Sequence, residues 1–240
     1  MYSLKIYSET DLNHEKIDYL SQFFNVEHES GSDTSGLHFI NGNLLYKSLD
    51  RGEIDFNFND LWQLQVNKRY MLNKEPLAKA LGIKGGGESH IWDITCGSGK
   101  DSILLLKFGA KVTAFERNPS VAALLLLAKR DFNSDSLQVL FGEAHDYGDL
   151  LGSNTPSAIY YDPMYPEEGK KKSALPRKEM QVFRELVGKD TDEEDVYTWA
   201  KSSGVKRFVV KRGVKSPTLR AKPSAQYIGK SARYDLYIFT

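Results

Sequence analysis

The sequence predicts an α/β fold: a doubly wound sheet, mostly parallel, with helices on both faces and an antiparallel hairpin at its C-terminal end. A small N-terminal α+β appendage precedes it. Three observations carry this reading. From residue 90 onwards, apolar runs of strand length alternate with helical runs, and that alternation builds a parallel sheet covered on both faces. Ile91-Trp-Asp-Ile-Thr-Cys-Gly-Ser-Gly-Lys-Asp101 reads as a buried strand, a glycine-rich turn and a helix start. The last two apolar segments, 225–228 and 234–239, are joined by a short turn with no helix between them.

In chain order, 10–24 reads as a helix, with Ile17, Leu20, Phe23 and Phe24 at helical spacing. The Ser/Gly-rich stretch 29–36 reads as a loop. Residues 37–46 read as a hairpin about Asn41-Gly42, a dipeptide that suits a type I′ turn. Ile54, Phe56 and Phe58 alternate with polar residues, as in a half-buried third strand. These segments make 1–65 a small α+β domain and 66–240 the main one. Residues 76–81 read as a helix stopped by Gly82, and Gly85-Gly86-Gly87 as a joint before the first central strand. Strands are expected near 90–93, 111–115, 137–141, 157–161 and 206–211, and helices near 100–108, 119–132, 176–187 and 192–203. Pro119 suits a first helical position.

A chain of 240 residues, 40% of them hydrophobic, can build one large core with a small addition. The longest apolar run, 121–128, falls short of the ~18 residues that span a bilayer. The start Met1-Tyr-Ser-Leu-Lys5 lacks a secretory pattern. One cysteine, Cys96, excludes an internal disulfide and suits a reducing cytoplasm, the expected location. The 5 histidines show no metal-ligand spacing, so no metal is expected. Net charge is +0 but unevenly spread: residues 164–240 carry 17 Lys/Arg against 10 Asp/Glu, and residues 1–163 carry 15 against 22. A basic C-terminal half suggests an anionic partner.

The first chemical signal is the glycine turn. Gly97 and Gly99 let the backbone bend tightly and approach a ligand closely. Asp93 stands before the turn, and Glu116 ends the following apolar run Val112-Thr-Ala-Phe115. An acid at that strand end accepts hydrogen bonds from ribose hydroxyls in nucleotide-binding βαβ units. Glu143, at the next strand end, is well placed for an adenine amine.

The second signal is Tyr160-Tyr-Asp-Pro-Met-Tyr-Pro166, at the C-terminal edge of the fourth strand, where ligands of open α/β sheets bind. Asp162-Pro-Met-Tyr-Pro166 resembles a loop motif of methyltransferases that modify exocyclic amines, which implies a nucleobase amine as target. Such an amine is a poor nucleophile, because its lone pair is delocalised into the ring. The Asp162 carboxylate and the Pro163 carbonyl can accept its two N–H bonds, orient the nitrogen and raise its electron density. Tyr165 can stack on the base, worth ~1–3 kcal/mol. The two prolines stiffen the loop. Asp-Pro is also a common turn dipeptide; its place after a Gly-x-Gly unit favours the chemical reading. Lys170, Lys171 and Lys172 follow. With Arg177, Lys178, Lys211 and Arg212 they are read as contacts to RNA phosphates, the alternative being a solvated loop. Cys96 is read as a small apolar loop residue rather than a nucleophile.

A doubly wound sheet ending in an antiparallel hairpin is the class I methyltransferase (Rossmann-like) architecture, and Asp162-Pro-Met-Tyr-Pro166 resembles the Asp/Asn-Pro-Pro-Tyr/Phe motif of methyltransferases that modify exocyclic amines. Asp93-Ile-Thr-Cys-Gly-Ser-Gly-Lys-Asp101, Phe115-Glu-Arg-Asn-Pro119, Lys172-Ser-Ala-Leu175 and Val209-Val-Lys-Arg212 add to it. In that order and at that spacing, over about 77–237, the chain resembles the ribosomal RNA small subunit methyltransferase J family. The resemblance implies methyl transfer from S-adenosyl-L-methionine to the exocyclic N2 of a guanine in small-subunit (16S) ribosomal RNA. The implied partner is that RNA or a ribosomal subunit. Implied cofactor contacts are Lys100-Asp101, Glu116-Arg117, Glu143-Ala144 and Asp162, beside the glycine turn and Asp93. Lys100 stands where the family has Arg. The rivals are an adenine-N6 or protein-amide methyltransferase, an NAD-dependent oxidoreductase, whose fingerprint Ser102 fits only loosely, and a non-catalytic RNA-binding module.

Overall fold

The computed structural model describes the chain except residues 9–11, 32, 87–88, 165–177 and 189. The N-terminal sheet holds β1 (Tyr2–Ser8), β2 (Phe24–Ser30), β3 (Gly36–Ile40), β4 (Asn43–Ser48) and β5 (Gly52–Ile54), in the order β2-β1-β3-β4-β5. β1 runs parallel to both of its neighbours, and β3 to β5 form an antiparallel meander. The β3–β4 turn is the expected hairpin: Asn41 (φ 52°) and Gly42 (φ 74°) both adopt the left-handed conformation that a type I′ turn requires.

Two local expectations change. The first helix, α1 (His14–Leu20), is shorter than 10–24. Asn13 starts it by accepting from the Lys16 N–H at 3.1 Å, and Phe24 leaves it to open β2, where it is buried. The third strand stops at Ile54, and α2 (Phe58–Val66) follows. Asn57 accepts from the Asp60 N–H at 3.1 Å and caps that helix, so Phe58 is a buried helix start rather than a strand residue.

The main unit follows in order: α3 (Pro76–Leu81), β6 (His90–Asp93), α4 (Lys100–Lys107), β7 (Lys111–Glu116), α5 (Pro119–Asp131), β8 (Leu137–Phe141), α6 (Gly148–Ser153), β9 (Ala158–Tyr161), α7 (Lys178–Val187), α8 (Glu193–Ser202), β10 (Arg207–Gly213), β11 (Ala225–Ile228) and β12 (Ala232–Ile238). Among the described residues of this unit, only α6 and the 3-10 turn Ala144–Tyr147 before it were not expected. The sheet order is β11-β12-β10-β9-β6-β7-β8, parallel from β8 to β10, with β12 antiparallel between β10 and β11.

The helix α5 is apolar from Val121 to Ala128 and buried throughout. A helix apolar on all sides needs cover on all sides. It packs on β7 and β8 of the main sheet and on α1, β1 and β4 of the N-terminal unit. Leu4, Ile6 and Leu37 therefore share one core with Ile91, Val112 and Leu125. Trp92, Phe115, Ile159, Tyr161 and Phe208 fill the opposite face against Ala200 of α8. The chain runs outward from β6 to β8 and then crosses back to β9. Strand order reverses between β6 and β9, and a crevice opens there at the carboxyl ends of the strands.

Candidate active site

Two strand ends supply buried acids to that crevice, and the residue after β9 supplies a third, half-buried one, Asp162. Asp93 closes β6 and is 1% exposed. Its carboxylate accepts from Ser102 Oγ at 2.5 Å and from the Thr95 N–H at 3.4 Å. Burial pushes its pKa up to about 7, against the Ser102 hydrogen bond. Glu116 closes β7. Its Oε2 accepts from the Gly97 N–H at 3.1 Å and its Oε1 from the Asn118 N–H at 2.8 Å. One carboxylate thus fastens the glycine turn to the start of α5, which the Asn118 side chain then caps through the N–H groups of Ser120 and Val121. Burial pushes Glu116 up to about 7 as well.

The turn itself is tightly enclosed. Gly97 (φ 58°) and Gly99 (φ 74°) are both left-handed, and a Cβ on Gly97 would meet the Phe183 ring at 3.2 Å. Lys100 is exposed on the first turn of α4 and lines the cavity. Cys96 is buried, and burial holds its thiol well above the usual range, which leaves no thiolate for a nucleophile.

The Asp162 end of the site is organised by β10. Val210 pairs with Tyr161 in the parallel ladder, so the next residues along, Lys211 and Asp162, face each other. Lys211 Nζ donates to Asp162 Oδ2 at 2.7 Å and to Asp101 Oδ2 at 2.8 Å, and the Tyr160 hydroxyl donates to the same Asp101 oxygen at 2.6 Å. The Asp162 N–H donates to Thr95 Oγ1 at 2.7 Å. Burial raises Asp162 to about 6, with Lys211 opposing. Burial also pulls the Lys211 ammonium down, but Asp101 and Asp162 outweigh it and hold it above its ordinary value. Pro163 is buried. Met164 is held at both backbone groups by Asp190: its N–H donates to Asp190 Oδ2 at 2.6 Å, and its carbonyl accepts from the Asp190 N–H at 3.3 Å.

Arg117 ties the two ends together. Its guanidinium donates to Glu143 at 3.0 Å, to Asp192 at 2.6 Å and to Asp190. Ala144 is buried behind Glu143, in the 3-10 turn that Glu143 caps. Asp93, Thr95, Gly97, Asp101, Glu116, Arg117, Glu143, Asp162, Asp190 and Lys211 line a single cavity of about 890 Å³, within the range of small-molecule sites. Trp199 and Val196 of α8 give it an apolar wall, and residues 53–57, Asp60 and Leu61 of the N-terminal unit line it as well.

The structure therefore brings Asp93, Gly97, Lys100, Asp101, Glu116, Arg117, Glu143, Ala144 and Asp162 to one cavity, and sets Gly99 and Pro163 behind its wall. It moves two residues away from the role expected of them. Lys211 is paired within the cavity rather than on a phosphate-binding rim. Arg212 is 4% exposed and pairs with Glu193 at 2.8 Å, so its charge joins β10 to α8. Tyr165, Lys170, Lys171, Lys172 and Arg177, with the side chain of Lys178, lie outside the described residues. Sequence reading missed Thr95, Asp190 and the wall from 53 to 61. The strand register Val210–Tyr161 is the signal that pairs Lys211 with Asp162, and it is not visible before the strands are aligned.

Comparison with known proteins adds independent findings. A family model described as "Putative SAM-dependent methyltransferase" matches residues 20–239. Proteins named ribosomal RNA small subunit methyltransferase J are similar along most of the chain. The one from Thioalkalivibrio sulfidiphilus is 39% identical over 78% of this chain and 75% of its own length. That of Bdellovibrio bacteriovorus is 41% identical over 78% and 73%. That of Vibrio parahaemolyticus is 33% identical over 98% and 97%. The crystal structure of a SAM-dependent methyltransferase from Neisseria gonorrhoeae superposes with a TM-score of 0.73 at 26% identity, covering 98% of this chain and 95% of that one.

Proposed function

We propose that this chain, which belongs to the SAM-dependent methyltransferase family together with the ribosomal RNA small subunit methyltransferase J proteins, transfers a methyl group from S-adenosylmethionine to the exocyclic N2 of a guanine in small-subunit ribosomal RNA. The observation that carries the reading is the meeting of the Asp162 loop with Asp101, Glu116 and the glycine turn in one cavity at the switch point of the sheet.

The residues present suit the cofactor. Asp93, Glu116 and Asp162 are carboxylates whose protons burial retains to about 7, 7 and 6, so each gains from a cationic or hydroxyl-bearing ligand. When bound, S-adenosylmethionine supplies an electrophilic methyl group on a sulfonium sulfur. Glu116 sits where an acid accepts from ribose hydroxyls, and Glu143 with Ala144 where the adenine would lie. Asp93 and Asp101 bring negative charge to the end that carries the amino acid. On the substrate side, Asp162 and the Pro163 carbonyl accept the two N–H bonds of the amine and hold its lone pair in line with the methyl group. As the N–C bond would form and the sulfonium S–CH3 bond would break, its electron pair going to sulfur to leave a neutral thioether, positive charge would grow on that nitrogen. The Asp162 carboxylate opposes it until the nitrogen loses a proton to solvent or to the carboxylate. Tyr165, by the same reading, stacks on the base, and the basic residues 170–172 with Arg177 and Lys178 meet the RNA backbone.

Asp162→Asn keeps the shape of the side chain and removes its charge. Single-turnover transfer of a labelled methyl group to small-subunit RNA should slow by about two orders of magnitude, as for loss of one oriented polar group at a reacting centre. Nucleoside analysis should place the wild-type methyl on guanine N2. Near-normal turnover of the variant would remove Asp162 from the chemistry, and a methyl on adenine would overturn the substrate.

A further inference from the structure

We propose that Lys211 is the positioning residue of this reaction, holding Asp162 as a carboxylate through Oδ2 and leaving Oδ1 to accept from the substrate amine. The inference rests on the functional reading above and names a residue beyond it. Lys211 sits on β10, 49 residues from Asp162 and 110 from Asp101, and bonds to one oxygen of each at 2.7 and 2.8 Å. Asp101 opens α4 at the cofactor end. One ammonium therefore fixes the spacing between the cofactor side of the cavity and the amine-binding side.

The surroundings make that ammonium necessary. The groups facing Asp162 are Asp101 from α4, Asp93 from β6, Tyr160 from β9, Tyr234 from β12 and Asp190 from the α7–α8 connection. Three are further carboxyls. The two phenols are held in their neutral form by burial, Tyr234 with its pKa pushed up to about 12. Lys211 is the only cation bonded to Asp162 among the described residues. Without it, Asp162 and Asp101 would share the pocket as like charges, and one of them would take up a proton. A protonated Asp162 has lost one acceptor and the negative charge that favours the developing cation. Two carboxylates hold Lys211 inside the cavity, a task different from binding RNA phosphates.

Two substitutions should move the pH profile of single-turnover methyl transfer in opposite directions. Lys211→Met should shift the acidic limb upward by about 1–3 pH units, the effect of an adjacent opposite charge. Its rate at pH 7 should fall tenfold or more and recover as pH rises, and Lys211→Arg should restore much of it. Asp101→Asn removes the competing carboxylate and should shift the same limb downward. A second readout needs neither RNA nor turnover. Infrared difference spectra at pH 7 should show a protonated carboxylic acid band in Lys211→Met that disappears in Lys211→Met/Asp162→Asn. An acidic limb at the wild-type pH in Lys211→Met, or no such band, overturns the proposal. Should Lys211→Met not fold, Asp101→Asn decides: a limb unmoved or moved upward overturns it. The infrared result stands whatever RNA proves to be the substrate, so failure of the substrate assignment and failure of the Lys211 assignment are told apart.

Discussion

Gly99→Ala tests how the N-terminal unit is locked to the glycine turn. Gly99 has φ +74°, and a Cβ there would meet Phe58 Cε1, with Phe58 Cζ at 2.9 Å and Leu125 Cδ2 at 3.5 Å. Phe58 is fully buried at the start of α2, with its ring edge-on to Phe132 at 6.2 Å. Two costs of different origin follow. A side chain in left-handed backbone costs about 1–2 kcal/mol, and overpacking a full core about 1–3 kcal/mol. The total is about 2–5 kcal/mol. Only the second part depends on Phe58. Phe58→Leu in the parent chain loses ring contacts and destabilises. In the Gly99→Ala background the same change relieves the clash, so it should be neutral or stabilising. Denaturant unfolding at unchanged m-value reads both. The coupling should exceed about 1 kcal/mol. Additivity within about 0.5 kcal/mol would refute the contact as the cause, and a Gly99→Ala cost below about 1 kcal/mol would refute the backbone argument too.

Glu116→Gln keeps the hydrogen bonds of one oxygen and loses the carboxylate that, on the proposed function, would meet ribose hydroxyls. Calorimetry with S-adenosylhomocysteine should show binding weakened by about 1–3 kcal/mol, and unchanged affinity would take Glu116 out of the cofactor site. The pH dependence of stability has a definite sign. Asp93 and Glu116 rise from 3.8 and 4.5 to about 7 on folding, so the folded state holds protons that the unfolded state has released. Their contribution is complete below the unfolded values and is lost as pH rises through about 7. Asp93→Asn should flatten the fall in unfolding midpoint across that window relative to the parent, and an identical slope in both proteins would show that Asp93 does not hold its proton.

What could be read from the sequence is what lies within a few tens of residues. Asp93, Gly97, Gly99 and Glu116 belong to one strand-turn-helix-strand unit, so their spacing already states their geometry. The Asn41-Gly42 turn is likewise local chemistry. The pairing of β1 with β2 and β3 is not: Leu4 and Ile6 are buried by partners that lie in β3 and on α5. Ile54, Phe56 and Phe58 fit a strand period, and only the Asn57 side chain decides for a helix from residue 58. Charge was the most misleading signal. Counting Lys211 and Arg212 among surface cations ignores Asp101, Asp162 and Glu193, which come from distant segments and neutralise them. The excess of cations after residue 164 is a property of composition, whereas which of them meet solvent is decided by the sheet.

That distinction bears on how a polyanion can be the substrate. Among the described residues, the cavity is lined by eleven carboxyl groups and three fixed cations, Lys100, Arg117 and Lys211. Arg117 is bonded to three of those acids and Lys211 to two, so little positive charge is left facing inward. An RNA phosphate would be repelled from this interior at the short range where water is excluded. A net-positive sulfonium cofactor and an uncharged base would not. The electrostatics therefore sort the substrate by part: backbone outside, base inside. Such a site favours a nucleotide that can be swung away from its neighbours, in a loop or single-stranded segment, over one held in a duplex. On the proposed function the acids would serve twice, attracting the cofactor and rejecting every part of the RNA except the base that carries the amine.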